Sequence, residues 1–133
     1  MTKTIIKPAA GVAPAVGPYN LGVRMGDLLF CAGQVPIVPE TGQLAVGDIK
    51  VQTEQVLKNI HAILKDQGLT PAHVVKATVF MVDLAHFADM NDVYGRFFGT
   101  DFPARTTVQA ALAEPEMLVE IEAIAYVDAA RTL

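Results

Sequence analysis

Serine is missing from the whole chain of 133 residues, and cysteine occurs once, at Cys31. Without serine there is no nucleophile for a serine hydrolase. A lone cysteine closes no intrachain disulfide. It sits in the apolar run Leu28 to Ala32 with no flanking cation to lower its pKa, so a thiolate nucleophile is not expected either. His61, His73 and His86 lack the i, i+4 or Cys-paired spacing of a metal site and read as surface or capping residues. There is no phosphate-cradling glycine loop and no GxGxxG between a strand and a helix.

Positive charge is sparse. Ten Lys and Arg against fourteen Asp and Glu leave a net charge of -4, and the basic residues are scattered instead of forming a stripe with interleaved aromatics. Nucleic acid is therefore not an expected partner. Nowhere do about 18 apolar residues run together, and Met1 to Ala10 lacks a basic region followed by an apolar stretch, so no membrane span or leader is expected. With the unpaired cysteine, a reducing cytoplasm fits best.

What the chain has in excess is apolar surface. Hydrophobic residues reach 52%, charged ones only 18%, and mean hydropathy is +0.37. A single domain spanning 1–133 buries roughly two thirds of its unfolded surface, which leaves too few polar residues to cover a small monomer. A homo-oligomer is expected.

Thr2 to Ile6 reads as a short strand, and Pro14, Gly17 and Pro18 make Gly11 to Pro18 a loop closed by Tyr19. Leu21 to Arg24 and Leu28 to Gly33 flank Met25-Gly26-Asp27 as a hairpin, after which Pro36, Pro39 and Glu40-Thr41-Gly42 stop the sheet. From Asp48 to Gln67, Val56, Ile60, Ile63 and Leu64 recur at helical spacing, with Asp48 as cap and Gly68 as left-handed exit. Val74 to Val82 is β-branched and reads as a strand. Asp83 caps a second helix carrying the stripe Leu84, Phe87, Met90, Tyr94 and Phe97, which Gly99 ends. Two strands then follow around Glu114-Pro115-Glu116 as a second hairpin-type connection. The sum is an α+β sandwich of two layers, with two helices on one face of a mixed, largely antiparallel sheet.

The last two strands hold the charges that need explaining. Val119, Ile121, Ala123, Ala125 and Val127 share one face, plainly core, while Glu120 and Glu122 lie in the apolar row Leu118, Ile124 and Tyr126 on the other. Arg105, just after Pro103-Ala104, has the planar fork that grips a carboxylate in two parallel hydrogen bonds. It either pairs with Glu120 or Glu122 or holds a small anionic ligand. Burial would raise the pKa of Glu120 and a nearby arginine would lower it, which decides whether it can relay protons. Tyr19 can close over a ligand or anchor its loop; Asn91, on the helical stripe, can donate to a ligand or to a neighbouring loop. Gly33 allows close approach to its backbone or marks a β-bulge.

Taken together, GPYN at Tyr19, CAGQVP around Gly33, FADMNDVYGRFF, FPARTTVQ and VEIEAIA resemble the RidA family, also called the YjgF/YER057c/UK114 family, over nearly the whole chain. The resemblance implies a chorismate-mutase-like fold, a homotrimer with clefts between subunits, and cofactor-free hydrolysis of enamines and imines such as 2-aminoacrylate and 2-iminobutyrate to 2-oxo acids and ammonia. It further implies that Arg105 clamps the substrate carboxylate, Glu120 holds and activates water, Gly33 and the Thr107 backbone orient the acid, and Tyr19 and Asn91 line the cleft. Many relatives carry serine at the position of Ala32 and cysteine at that of Thr107, so a hydroxyl and a thiol are replaced here. The competing expectation is a non-catalytic member of the same fold that binds small acids or docks on another protein through that cleft.

Overall fold

The computed structural model of the chain describes residues 2–7 and 10–127. Its strands are β1 (Thr4–Ile6), β2 (Gly22–Met25), β3 (Leu28–Gln34), β4 (Ile37–Val38), β5 (Gln43–Leu44), β6 (Val74–Met81), β7 (Ala104–Gln109) and β8 (Val119–Tyr126), and its helices α1 (Ile49–Asp66) and α2 (Phe87–Phe98). Six strands form one sheet in the order β1-β2-β3-β8-β6-β7, which stops at the prolines after β3 as expected; β4 and β5, which the sequence reading did not contain, form a separate two-stranded ribbon there.

Local sequence explains the well-formed elements. Gly26, at φ +59°, and Asp27 make a two-residue loop that sets Met25 against Leu28; the hairpin is as expected, with Met25 in the strand and not in the turn. Asp48 caps α1 by accepting from the backbone N–H groups of Lys50 and Val51 at 3.0 and 3.1 Å, and Gly68 leaves the helix at φ +73°. The periodic positions Val56, Ile60, Ile63 and Leu64 are all at most 1% exposed and pack on β3 and β8. Each such side chain contributes about 1.5 to 3 kcal/mol by leaving water. The opposing layer is the predicted face of β8, where Val119, Ile121, Ala123, Ala125 and Val127 are buried. No helix among the described residues is long and apolar enough to cross a membrane.

Three expectations are corrected. Asp83 caps a 3-10 turn over Leu84–His86, accepting from the Ala85 N–H at 2.8 Å, and α2 begins only at Phe87. Leu84 and Phe87 are consequently exposed instead of core. Of the two readings of His73, the surface one fails and the capping one holds: the residue is buried, and its Nδ1 accepts from the Thr70 N–H at 3.1 Å, capping the 3-10 turn before β6. The third correction matters most for function. β7 and β8 do not pair as a hairpin, because β6 lies between them, parallel to β7 and antiparallel to β8. The helical crossover through α2 returns the chain beside β6 in the same direction, as parallel pairing demands.

Candidate functional site

Strand register decides where the charged groups point. Ala77 of β6 stands opposite both Arg105 and Ala123, and Ala77 and Ala123 are buried under the helices. Residues directly opposite one another share a face, so Arg105 and, two residues on, Thr107 lie on the helical side. Phe80 stands opposite both Glu120 and Val108, which places Glu120 on the open side. Within the chain the arginine and the glutamate are therefore on opposite faces of the sheet. They form no ion pair, and none of the three salt bridges among the described residues involves Arg105, Glu120 or Glu122.

Arg105 is instead held by rings. Its guanidinium carbon lies over Tyr94, 4.7 Å from the centroid, and 5.5 Å from that of Phe87. Both aromatics belong to α2, seven residues apart on one stripe. Cation–π attraction of this kind is worth about 0.5 to 2 kcal/mol depending on desolvation, and it fixes the plane of the fork without occupying its N–H donors. Tyr94, Asn91, Gly95, Phe102, Pro103 and Arg105 line a cleft of about 260 Å³. The Tyr94 and Thr107 hydroxyl oxygens are buried with no hydrogen-bond partner among the described residues, unusual for groups that normally find one. Burial raises the Tyr94 phenol above its ordinary pKa, with Arg105 opposing the shift.

On the other face, Glu120 lies across Gly33. From Cys31, opposite Ala123, to Gln34, opposite Ile121, β3 runs one residue longer than β8, so a β-bulge falls at Ala32 and Gly33. A Cβ at Gly33 would stand 3.1 Å from the Glu120 Cδ and closer still to its Oε2. Both sequence readings of Gly33 thus meet in one place: the bulge brings bare backbone against a carboxylate. Burial first, and the nearby Glu122 carboxylate second, raise the pKa of Glu120. A half-buried carboxyl whose pKa is raised binds its proton more readily than a free one, which suits it to proton relay. Tyr19 is 46% exposed, its hydroxyl accepting a long 3.4 Å bond from the Val16 N–H, so it is not anchored in the core. It precedes Leu21, whose carbonyl accepts from the Ala32 N–H at 2.9 Å, at the Gly33 end of β3.

Two groups result. Arg105, Thr107 and Asn91 gather on the helical side, while Glu120 meets Gly33 on the open face, with the loop of Tyr19 tied to β3 beside Gly33. Cys31 is buried, its thiol pushed up to about 12 by desolvation, which leaves it protonated. Among the described residues no three His, Cys, Asp or Glu side chains could hold a metal ion together. Phe87, Tyr94 and Gly95 were not singled out by sequence. Their helical spacing read as core, and the only local hint was polar Asn91 on the same stripe.

The family model described as Endoribonuclease L-PSP matches residues 10–127. A RutC family protein of Pyrococcus abyssi is 45% identical over 95% of this chain and 98% of its own length. Reactive Intermediate Deaminase A of Arabidopsis thaliana is 40% identical over 84% of this chain and 59% of that protein. Among solved structures, a Rid family protein of Yersinia pestis superposes with a TM-score of 0.89 at 42% identity, covering 95% of this chain and all of that one. Escherichia coli TdcF with bound serine gives 0.86 at 38%, covering 94% and 99%. The family match spans nearly every described residue, and relatives and solved structures of the same family cover the chain almost end to end: the chain is a member of the RidA (YjgF/YER057c/UK114) family.

Proposed function

We propose that the protein hydrolyses imines of 2-oxo acids, and the enamines that tautomerise to them, to the 2-oxo acid and ammonia. The observation that carries this reading is the pairing of two complementary half-sites in one chain. One is a guanidinium stacked on rings and not neutralised by any described carboxylate. The other is a half-buried glutamate whose pKa is raised. They sit on opposite faces of one sheet, so a small ligand meets both only where the helical side of one copy abuts the open side of another. The open face supports such packing: Leu28, Phe30, Val108 and Tyr126 on it are 38 to 42% exposed, a large apolar area for a sheet left to water. A homotrimer with one site at each boundary is the assembly we propose.

The chemistry needs no group beyond these. Arg105 holds the carboxylate of the imine in a bidentate grip. Water adds to C2 as the C=N bond opens; Glu120 takes a proton from the water oxygen and passes it to nitrogen, giving the carbinolamine. A second proton transfer to nitrogen breaks the C–N bond as the carbinol oxygen loses its proton, so one water is consumed and one ammonia leaves. Positioning supplies most of the rate, because the imine is already electrophilic. A relative named Reactive Intermediate Deaminase A supports this assignment. Ribonuclease activity, which the name of the family model carries, is not favoured by a net charge of -4, which opposes binding to a phosphate backbone.

The experiment is direct. Purified protein is added to imine generated by a threonine dehydratase, and the appearance of 2-oxobutyrate is followed. Acceleration over buffer is expected. Binding of 2-oxobutyrate without any acceleration would instead establish a non-catalytic small-acid receptor. Light scattering that showed a monomer at micromolar concentration would remove the joined site.

A further inference from the structure

Helix α2 carries a glycine that nothing inside the protomer explains. Gly95 lies in the body of the helix, and a Cβ built on it meets no heavy atom within 4 Å. Gly26, Gly42, Gly68 and Gly99 have positive φ, and Gly33 is crowded by Glu120. At Gly95 neither backbone conformation nor space excludes a side chain, yet a helix interior disfavours glycine relative to alanine.

Its place in the fold supplies a reason. Gly95 follows Asn91 by one helical turn on the stripe that faces Arg105, and both line the cleft beside the guanidinium. Beyond the Arg105 fork and the Asn91 amide, the cleft walls are the rings of Tyr94 and Phe102, Pro103 and the bare backbone of Gly95. At about 260 Å³ it is smaller than the roughly 300 to 1,000 Å³ typical of pockets for whole drug-sized ligands. It is the size for a side chain.

We propose that this cleft receives the side chain of the imino acid, that Gly95 keeps its floor open, and that the preferred substrates carry branched aliphatic or aromatic side chains. The proposal rests on the reading of Arg105 as carboxylate anchor and deepens it. C2 of a 2-imino acid is bonded directly to the anchored carboxylate carbon, so its side chain begins two bonds from the group that Arg105 holds. The imine nitrogen must reach Glu120 of a neighbouring copy. The side chain therefore turns toward the walls that Arg105 shares, and those walls are mostly carbon.

The test compares imines made from leucine and from alanine by an amino-acid oxidase, with semicarbazide competing for free imine. The enzymes are the wild type, Gly95→Ala and Gly95→Leu. The ratio of kcat/KM for the leucine-derived imine to that for the alanine-derived one should fall at least about tenfold in Gly95→Leu, the scale of added carbon in an apolar pocket. Gly95→Ala should fall between. A ratio unchanged in both variants overturns the proposal. If Gly95→Leu alters the assembly mass in light scattering, the Gly95→Ala ratio decides.

Should the wild type accelerate neither imine, the catalytic reading fails by itself. The subsite is then judged by calorimetry with 4-methyl-2-oxopentanoate and 2-oxopropanoate. Tighter binding of the longer acid, lost in Gly95→Leu, sustains the subsite; equal affinities in wild type and variants overturn it.

Discussion

The guanidinium carbon of Arg105 stands over the Tyr94 ring, 4.7 Å from its centroid, and that contact replaces the carboxylate partner a half-buried arginine would ordinarily have. A charge stabilised by a π-face keeps its hydrogen-bond donors available. The same stacking holds the fork in one plane before any ligand arrives, which lowers the entropy lost on binding.

Replacing Arg105 tests the fork. Arg105→Ala should reduce kcat/KM for imine hydrolysis by roughly 30-fold or more, since truncating one partner of a desolvated charge pair typically costs about 2 to 5 kcal/mol. Arg105→Lys keeps the charge but loses both the bidentate geometry and the planar stack. It should recover only a small part of the activity, read as an elevated KM for imine and weaker binding of 2-oxobutyrate.

Gly33→Ala puts a methyl group into the Glu120 carboxylate, whose Cδ would be 3.1 Å away. The strain should lower stability by about 1 to 3 kcal/mol, the usual cost of overpacking, measured as a drop in the urea midpoint at constant m. Adding Glu120→Ala to the same chain removes the obstacle and should restore most of that stability, whereas activity should stay lost.

Glu120 has its pKa raised above the ordinary value of 4.5 by burial and by Glu122. For a carboxyl whose folded pKa is the higher one, the folded state binds the proton more tightly than the unfolded state. The associated stability is complete below the unfolded value and disappears as pH rises through the folded value. Glu120→Gln should therefore be the more stable protein at neutral pH, with its advantage shrinking on acidification. Glu122→Gln removes one of the two causes, so the acid limb of the kcat/KM profile should move to lower pH. An unmoved limb would assign it to another group.

Gln52 joins α1 to the start of β8. It is 3% exposed, its amide donates to the Glu116 carbonyl at 2.9 Å, and its Oε1 accepts from the Leu118 N–H at 2.8 Å. Gln52→Leu leaves both backbone groups unpaired and should cost about 1 to 3 kcal/mol in chemical denaturation. Because Glu120 follows two residues later, kcat should fall with it. Gln52→Glu retains an acceptor for Leu118 but no donor for Glu116, and should lie between the two.

Much of the architecture was legible along the chain, for local reasons. Asp48 and Gly68 delimit α1 through caps made within a few residues. Gly26 marks a tight hairpin turn, and the alternation from Val119 to Val127 separates a core face from a mixed one with no reference to the rest of the fold. The chemical types at the site were also visible: an arginine after proline, a glutamate in an apolar row, a glycine ending a strand. Phe87 and Tyr94 were hidden because an aromatic stripe at helical spacing looks the same whether it fills a core or beds a cation.

By itself, then, the order of residues determined the two helices and the strands of the main sheet, their boundaries to within a few positions, and which side chains share a face of any one strand; the β4-β5 ribbon and the 3-10 turn before α2 were not among them. Those properties depend on backbone dihedrals and on contacts close in sequence. Only the tertiary structure decided that β6 inserts between β7 and β8, and with it that Arg105 turns toward α2 while Glu120 turns to the open side. Alternation fixes the relation of residues within a strand. The relation between strands is set by which neighbour each one pairs with, and the crossover through α2 made that choice.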